Sequence, residues 1–381
     1  MLQACPSTAG VIGASLHWLE MPSLYDLSIP ELEDRIVALG EAPYRARQVR
    51  EWAYRRFAPS YDEMRNVPAK LRAQLAEELP FPAIETVAEL GSDDGLTRKR
   101  LIRLGDGKLI ESVLMLYDTR SDSRGRATVC VSSQAGCAMG CVFCATGQAG
   151  FERNLTTGEI LAQIIGFARE QLGGGGQPIT NVVFMGMGEP LANLPAVWPA
   201  VETLNAPDGI GMAARHITIS TVGLVPGIRK LAEAPLQVGL AVSLHAPDEA
   251  LRERLIPTAH RFPLPEIITA CCEYIAKTGR RITFEYCLMD GVNDAPEQAR
   301  ALGRLLGGML CHVNLIPVNP TPDGAIGRPP RARTLAFQRE LAAQGVPCTV
   351  RVEKGVEISA ACGQLRGERA ELPLIDAPLV R

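Results

Sequence analysis

No excess of basic residues marks this sequence: 39 Lys and Arg stand against 42 Asp and Glu, a net charge of −3 with a pI near 6.1. Phosphate affinity usually shows as a basic surplus, so composition gives no general argument for nucleic-acid binding and leaves open only a local basic patch. Long apolar runs are missing too; none reaches about 18 residues, the length that suggests a membrane span. The first residues, MLQACPSTAGVIGASLHWLEM, lack the basic start of a signal peptide, which gives the expectation of a cytoplasmic protein with no membrane partner. The eleven cysteines form no even framework of spaced pairs. Structural disulfides are therefore not expected, and the thiols point instead to a reducing compartment and to metal-binding or catalytic use.

What is present suits one large α/β domain plus an accessory piece: 381 residues, 46% of them hydrophobic. SIPELEDRIVALG places Ser28 before Pro30 and ends at Gly40, a cap-to-cap helix. The next helical stretch, APYRARQVREWAYRRF, interleaves Arg45, Arg47, Arg50, Arg55 and Arg56 with Tyr44, Trp52, Tyr54 and Phe57, and VPAKLRAQLAEEL adds Lys70 and Arg72. Such a pattern can grip a phosphate backbone and stack on bases, although a solvated face over a small aromatic core would read the same way. After a small β segment, RKRLIRLGDGKLIESVLML, short apolar runs alternate with helical ones. The runs are ATVCVSS, NVVFMG, HITIST, VGLAVSLH, RITFEYCLM, HVNLIPVNP and PCTVRV. Six or seven β-α repeats imply a parallel sheet covered by helices, and spacing alone does not choose between an open doubly wound sheet and a full or partial barrel. Gly173 to Gly176 reads as a flexible loop in this series.

The densest chemical signal is CVSSQAGCAMGCVFCATGQAGF, with four cysteines between Cys130 and Cys144. Cys137, Cys141 and Cys144 form C-x3-C-x2-C on a glycine-containing loop, ahead of a helix whose TTGE start, Thr156 to Glu159, resembles a capping box. Three close thiolates can hold three irons of a cubane cluster and leave the fourth iron open for a chelating cofactor. Structural zinc normally wants four ligands in two knuckles. The remaining cysteine pair, Cys271 and Cys272, is adjacent within a helical pattern, where the side chains diverge. GMGEPL is not a dinucleotide fingerprint, because Leu191 stands where its third glycine would be, and the Gly173 tract lacks the Lys-Ser/Thr of a phosphate loop. His245 has no second His or acid at ligand spacing. Along ATVCVSS, Thr128, Cys130 and Ser132 alternate with Val129 and Val131, so Cys130 lies on the polar face of its strand. Cys5, Cys271, Cys272, Cys287, Cys311 and Cys348 read as core or incidental thiols.

With Phe143 just before its last cysteine, the three-thiol motif resembles the radical S-adenosylmethionine (SAM) superfamily. The segments CVSSQAGCAMGCVFCATGQAGF, NVVFMGMGEPLAN, AVSLHAPDEALRERLIP, TFEYCLMDGVND, VNLIPVNP and AACGQL, in that order, closely resemble the signatures of the RlmN/Cfr family of RNA adenine methyltransferases. The resemblance runs from about Leu27 to Leu365. It implies a partial (βα)6 barrel with a 4Fe-4S cluster and SAM at its mouth, preceded by a small, mainly helical domain that contacts RNA. The expected division is residues 1–100 for the helical domain, 101–365 for the barrel and 366–381 for a tail. By the same likeness Cys137, Cys141 and Cys144 hold the cluster, while Gly188, Glu189, Ser220, Ser243, Leu244, His245 and Asn319 contact SAM.

The resemblance also pairs Cys362, in SAACGQL, with Cys130: the first becomes S-methylated and the second resolves it by forming a disulfide. C2 of adenine is electrophilic, as is a SAM sulfonium, so ordinary displacement cannot methylate it. In the implied route one SAM methylates Cys362, and a second is cleaved by an electron to give a 5′-deoxyadenosyl radical that activates the Cys362 methyl group. The resulting methylene radical adds to the ring carbon. Glu111, in LIESVLML, then takes the ring proton, and the Cys130 thiolate attacks the Cys362 sulfur. A surface carboxylate at a strand end would explain Glu111 equally well from pattern alone. The implied partners are 23S ribosomal RNA or transfer RNA and a one-electron reductant such as flavodoxin, with a monomer as the default. Two stretches depart from the family pattern: VRVEKGVEISAACGQL, where Val352, Glu353, Lys354, Val356 and Ser359 dilute the usual basic and acidic residues, and the long insert YDTRSDSRGRA between Glu111 and Cys130. They put the RNA target in question more than the reaction.

Overall fold

The computed structural model describes residues 21–117, 125–319, 326–351 and 354–367. Cys5, the N-terminal stretch, Val352, Glu353, residues 118–124 of the insert and most of the expected tail lie outside the described residues.

Three helices come first: α1 (Ile29–Ala38), α2 (Arg45–Tyr54) and α3 (Ala69–Glu78). Ser28 caps α1 as its sequence suggests: the Ser28 hydroxyl accepts from the Glu31 N–H, and the Glu31 carboxylate accepts from the Ser28 N–H. The chain then turns to strands β1 (Ile84–Gly91), β2 (Thr97–Leu104), β3 (Leu109–Tyr117) and β4 (Arg126–Cys130). The helical part thus ends at Glu78, and residue 100 falls inside β2 rather than at a boundary. The reason is register: β1, β2 and β3 pair antiparallel with one another and then with β4, extending the main sheet.

After β4 come β5 (Gln134–Gly136), α4 (Ala145–Ala149), β6 (Phe151–Asn154) and α5 (Thr157–Gly173), with β5 and β6 pairing as a separate ribbon. The β-α rhythm continues through β7 (Asn181–Phe184), α6 (Leu194–Asn205), β8 (Ile217–Thr221), α7 (Val225–Glu233), β9 (Gly239–Ser243), α8 (Glu249–Leu255) and α9 (Leu264–Thr278). It ends with β10 (Ile282–Leu288), α10 (Pro296–Leu306), β11 (Cys311–Pro317), α11 (Arg331–Ala343) and β12 (Cys348–Val350).

From β4 onward the strands lie in the order β4-β7-β8-β9-β10-β11-β12, all parallel. That order decides the question left open by spacing. A doubly wound sheet reverses its strand order at a switch point, whereas this one never does. With crossovers of one hand, helices gather on one face and the sheet curls around the other, giving a rolled partial barrel.

The helical domain is docked, not tethered. Its apolar residues, Leu32, Ile36, Val49, Leu71 and Leu75 among them, join the same core as the barrel. Polar clamps add to this: Asp26 accepts from the Gly158 N–H at the start of α5 (2.6 Å), Arg169 donates to the Phe57 carbonyl, and Arg50 pairs with Asp208 at 3.0 Å. Arg55 donates to the carbonyls of Pro207 and Ile210. The arginine-aromatic pattern of α2 therefore splits. Arg50 and Arg55 face the barrel and Tyr54 is buried, whereas Tyr44 and Arg47 are exposed and Arg56 lies over Trp52. Arg50 is almost fully buried, so Arg50→Ala should lower stability in urea unfolding by about 2 kcal/mol, less than a fully buried pair because Asp208 is partly exposed. An unchanged unfolding midpoint would show that this clamp contributes nothing.

Candidate active site at the barrel mouth

A cavity of about 160 Å³ opens where the parallel strands end. Its wall carries Cys137, Cys141 and Cys144 from the loop after β5, Gly188 and Glu189 after β7, Ser220, Ser243, His245 and Asn319 from the following strand ends, and Cys362. Sequence reasoning therefore brought together nearly all of its proposed cofactor residues. Leu244 is the exception: alternation along the chain turns its side chain into the core, fully buried, while its N–H donates to the Glu285 carbonyl. Cys287, read from the sequence as incidental, lines the cavity instead.

The GMGEP turn shows why glycine is needed. Gly188 has φ +101°, and a Cβ there would stand 2.5 Å from the Gln134 Cβ. The close approach lets the Glu189 N–H donate to Gln134 Oε1 at 2.8 Å. Glu189 is buried, and its carboxylate accepts from the N–H groups of Leu191 and Val222. Burial pushes its pKa up to about 7, against the opposing pull of those bonds.

His245 has φ +61°, unusual for a residue with a side chain, and packs edge-on against Phe143 of the cysteine loop at 4.6 Å. Its Nδ1 accepts from the Cys287 N–H at 2.9 Å, which assigns the proton to Nε2 and takes up one of the two nitrogens a metal could use. Burial, and then the charge of Arg252, lower its pKa to about 3, so the ring is neutral.

The fit of an iron–sulfur cluster and SAM can be judged from these walls. Burial holds the three cysteine thiols well above their usual pKa range, so metal binding must displace their protons. Among the described residues no three side chains close on a single ion. Three thiols from one short loop on the same cavity wall suit a cubane, whose ligands each bind a different iron. Two buried acceptors on the cavity wall, Glu285 Oε2 and Asn319 Oδ1, have no hydrogen-bond partner among the described residues, which fits a ligand rich in N–H and O–H groups.

Cys362 lies in a segment without regular structure, yet that segment is held at several points. Gly363 and Leu365 accept through their carbonyls from the Ala145 N–H (2.8 Å) and the Thr146 hydroxyl (2.6 Å) of the cysteine loop. The Cys362 carbonyl accepts from Asn319 Nδ2. An adjoining cavity of about 30 Å³ is lined by Cys130, Cys362, Tyr117, Arg351 and Lys354. Burial pushes the Cys130 thiol up to about 12, with Cys362 adding to the shift and Arg351 opposing it. All cysteines among the described residues are free thiols, so the disulfide implied between Cys130 and Cys362 is not formed in this state. Glu111 lines neither cavity. It is buried beside them, with its Oε1 2.9 Å from Lys99 Nζ and its Oε2 accepting from the Arg366 N–H. Lys99, Glu285 and Arg351 escaped sequence reasoning. Strand parity was the available signal for Lys99 and Glu285, but it needs the pairing register to become specific.

A rolled parallel sheet with a three-cysteine loop beside a cavity at its mouth defines a radical SAM enzyme. Family models agree: "Radical SAM superfamily" matches residues 131–302, and "Ribosomal RNA large subunit methyltransferase N-terminal domain" matches residues 23–80. A probable dual-specificity RNA methyltransferase RlmN of Chloroflexus aurantiacus is 50% identical over 94% of this chain and 96% of its own length. A ribosomal RNA large subunit methyltransferase N of Nitrosopumilus maritimus is 50% identical over 91% of this chain and 99% of its own. The crystal structure of a radical SAM methyltransferase from Sphaerobacter thermophilus superposes with a TM-score of 0.88 at 52% identity, covering 91% of this chain and all of that one. The chain belongs to the RlmN family of radical SAM RNA methyltransferases. No helix among the described residues is long and apolar enough to cross a membrane.

The neutral state of His245 has a pH consequence. Its folded pKa of about 3 lies below the ordinary 6.5, so the stability it confers is complete above pH 6.5 and is lost as pH falls toward 3. Each pH unit below 6.5 should cost the cluster-free protein about 1.4 kcal/mol from this group. Asn tolerates positive φ, so His245→Asn should keep the fold and lose this component, read from urea unfolding midpoints across that range. An acid loss in the variant equal to that of the wild type would contradict the assignment.

Proposed function

We propose that this enzyme methylates C2 of an adenine ring in RNA, ribosomal RNA, transfer RNA or both, through a methyl group carried on Cys362. The observation that supports this most is the placing of two thiols from distant parts of the chain, Cys130 and Cys362, on one cavity next to the cysteine loop. A carrier thiol needs a second thiol in reach to release its product, and a single catalytic cysteine would not.

When bound, the 4Fe-4S cluster and SAM supply the methyl group and the one-electron chemistry that turns it into a carbon radical. Cys137, Cys141 and Cys144 would hold the cluster. Gly188, Glu189, Ser220, Ser243, His245 and Asn319 would bind SAM, and Leu244 contributes only its backbone at that position. Two SAM molecules are used per turnover, and a one-electron donor such as flavodoxin supplies the electron. Glu111 takes the proton from the ring carbon once the carbon–carbon bond has formed, and the unpaired electron left by the radical addition would return to the bound cluster, leaving a closed-shell thioether on Cys362. Deprotonated Cys130 then attacks the Cys362 sulfur, the bond from that sulfur to the methylene carbon breaks, and that carbon is protonated to methyl as a disulfide forms. The target base must be splayed out of its stack to reach this depth. Exposed Tyr44 and Arg47 of α2 are the nearest remnant of the expected RNA-binding face on the helical domain.

The test is anaerobic incubation of the reconstituted monomer with reductant, methyl-labelled SAM and unmodified total RNA, followed by nucleoside mass spectrometry. Labelled 2-methyladenosine is expected; labelled 8-methyladenosine would move the target to the other ring carbon, and SAM cleavage without a labelled nucleoside would point to a substrate other than RNA. Two variants extend the test. Cys362→Ala should lose all methyl transfer to RNA. Cys130→Ala should leave RNA covalently bound to protein through Cys362, seen as a shifted band on a denaturing gel. Product release by Cys130→Ala at the wild-type rate would remove Cys130 from the resolving role.

A further inference from the structure

Lys99 lies on β2 in a stretch that carries no recognised motif. Strand register gives it a place in the site. Lys99 pairs with Val113 and Leu101 with Glu111, while Val113 pairs in turn with Cys130. Opposite residues share a sheet face, and residues two apart on one strand do as well, so Lys99, Glu111 and Cys130 point the same way. The segment bearing Cys362 packs over that face. A Cβ on Gly355 would meet Thr97, which lies two residues before Lys99 on the same strand.

The Lys99–Glu111 contact is 2.9 Å between side chains that are 10% and 5% exposed. Each partner makes one further bond to the Cys362 segment. Lys99 Nζ donates to the Ser359 carbonyl at 3.2 Å, three residues before Cys362, and the Arg366 N–H donates to Glu111 Oε2 at 2.8 Å, four residues after it. The turn presenting Cys362 is thus tied on its two sides to the two members of one buried ion pair. A buried carboxylate keeps its charge only with a cation or several donors beside it.

We propose that Lys99 is the positioning residue for the base: it fixes Oε1 of Glu111 within the protein wall and sets its distance to the Cys362 methyl group. The inference rests on the reading of Glu111 as proton acceptor. In the step concerned, the proton leaves the adenine carbon for a Glu111 oxygen, the electron pair of that carbon–hydrogen bond stays on the ring, and the unpaired electron left by the radical addition would pass back to the bound cluster. Each carboxylate oxygen keeps a lone pair beyond its present bond, so the base need not break its tie to Lys99 in order to act. Lys99 itself touches neither substrate nor cofactor.

The test compares Lys99→Met and Lys99→Arg with the wild-type holoenzyme through three readings: methylation of Cys362 in the absence of RNA, covalent RNA–protein adduct, and released 2-methyladenosine. Lys99→Met should methylate Cys362 to within about tenfold of wild type and form the adduct, yet release product about 100-fold more slowly, the usual scale of a lost general base, so that adduct accumulates. Lys99→Arg, which restores the charge, should recover release to within about tenfold of wild type. Release by Lys99→Met within threefold of wild type would overturn the proposal. So would loss of Cys362 methylation in both variants, which marks a structural role. Should Lys99→Met fail to fold, Lys99→Gln gives the same readings, and normal release by it would overturn the proposal equally. If the wild type makes no 2-methyladenosine, the adenine C2 reading fails first and separately.

Discussion

The position of Cys362 depends on backbone groups whose partners come from elsewhere in the chain. The segment has only a few turn bonds of its own, such as Ser359 N–H to the Val356 carbonyl and Ala360 N–H to the Gly355 carbonyl, so the carbonyls that flank Cys362 take donors from outside it. They find them in the Ala145 N–H, the Thr146 hydroxyl, the Asn319 amide and the Lys99 ammonium. The first two belong to the loop that carries Cys137, Cys141 and Cys144, so the same bonds that seat Cys362 also steady the cysteine loop. A thiol at the end of a 381-residue chain is thereby fixed relative to thiols more than two hundred residues earlier. The geometry of the site reduces to whether these few bonds form together.

The antiparallel extension gains its purpose from this arrangement. Strands β1 to β3 are not needed to complete the βα series, which begins at β4. They widen the sheet so that one face of β2, β3 and β4 forms a wall opposite the Cys362 segment, with Lys99, Glu111 and Cys130 on it. The two stretches that depart from the family pattern meet beside this wall. Lys354, from the altered segment, donates to the Leu116 carbonyl and approaches the Tyr117 ring, and Arg126, at the far end of the insert, stacks on that ring at 3.7 Å. Sequence change there alters the rim while Lys99, Glu111 and Cys130, buried behind it, stay as they are.

Much of this was legible in the sequence, for identifiable reasons. The strands could be read because a half-buried strand advertises its period, as the Thr128, Cys130, Ser132 alternation does, and the three-cysteine loop because ligand spacing is local. Cysteines and glycines of the site were found by type, since few other residues can do their work. The missed residues are ordinary types in ordinary places. Lys99 sits in a run of basic residues that reads as solvated edge, and only pairing register turns it inward. Arg50 and Arg55 looked like part of an RNA-binding face because charge and aromatic content say nothing of which side a helix docks on. Leu244 entered the ligand set by the resemblance of its VSLHAP segment, and alternation buries its side chain, so only its backbone is available at the cavity.

The mouth of the barrel is also built to be incomplete without its ligands. Folded proteins rarely leave buried polar atoms without partners, yet Glu285 Oε2 and Asn319 Oδ1 have none among the described residues. His245 adds a backbone conformation that side chains avoid. Each carries a cost in the cluster-free protein, and burial drives the neighbouring ionisable groups the same way: Glu189 toward its neutral acid, the cysteines toward neutral thiols, His245 toward neutral imidazole. A cavity whose groups are held mostly uncharged and only partly hydrogen-bonded has the character of a preorganised receptor, with its groups already aimed. The fold supports that state because the strain is local, while the core beneath the mouth is continuous from the helical domain through the barrel. Stability spread over the whole core therefore holds a handful of unsatisfied groups where a cluster and a nucleoside can satisfy them.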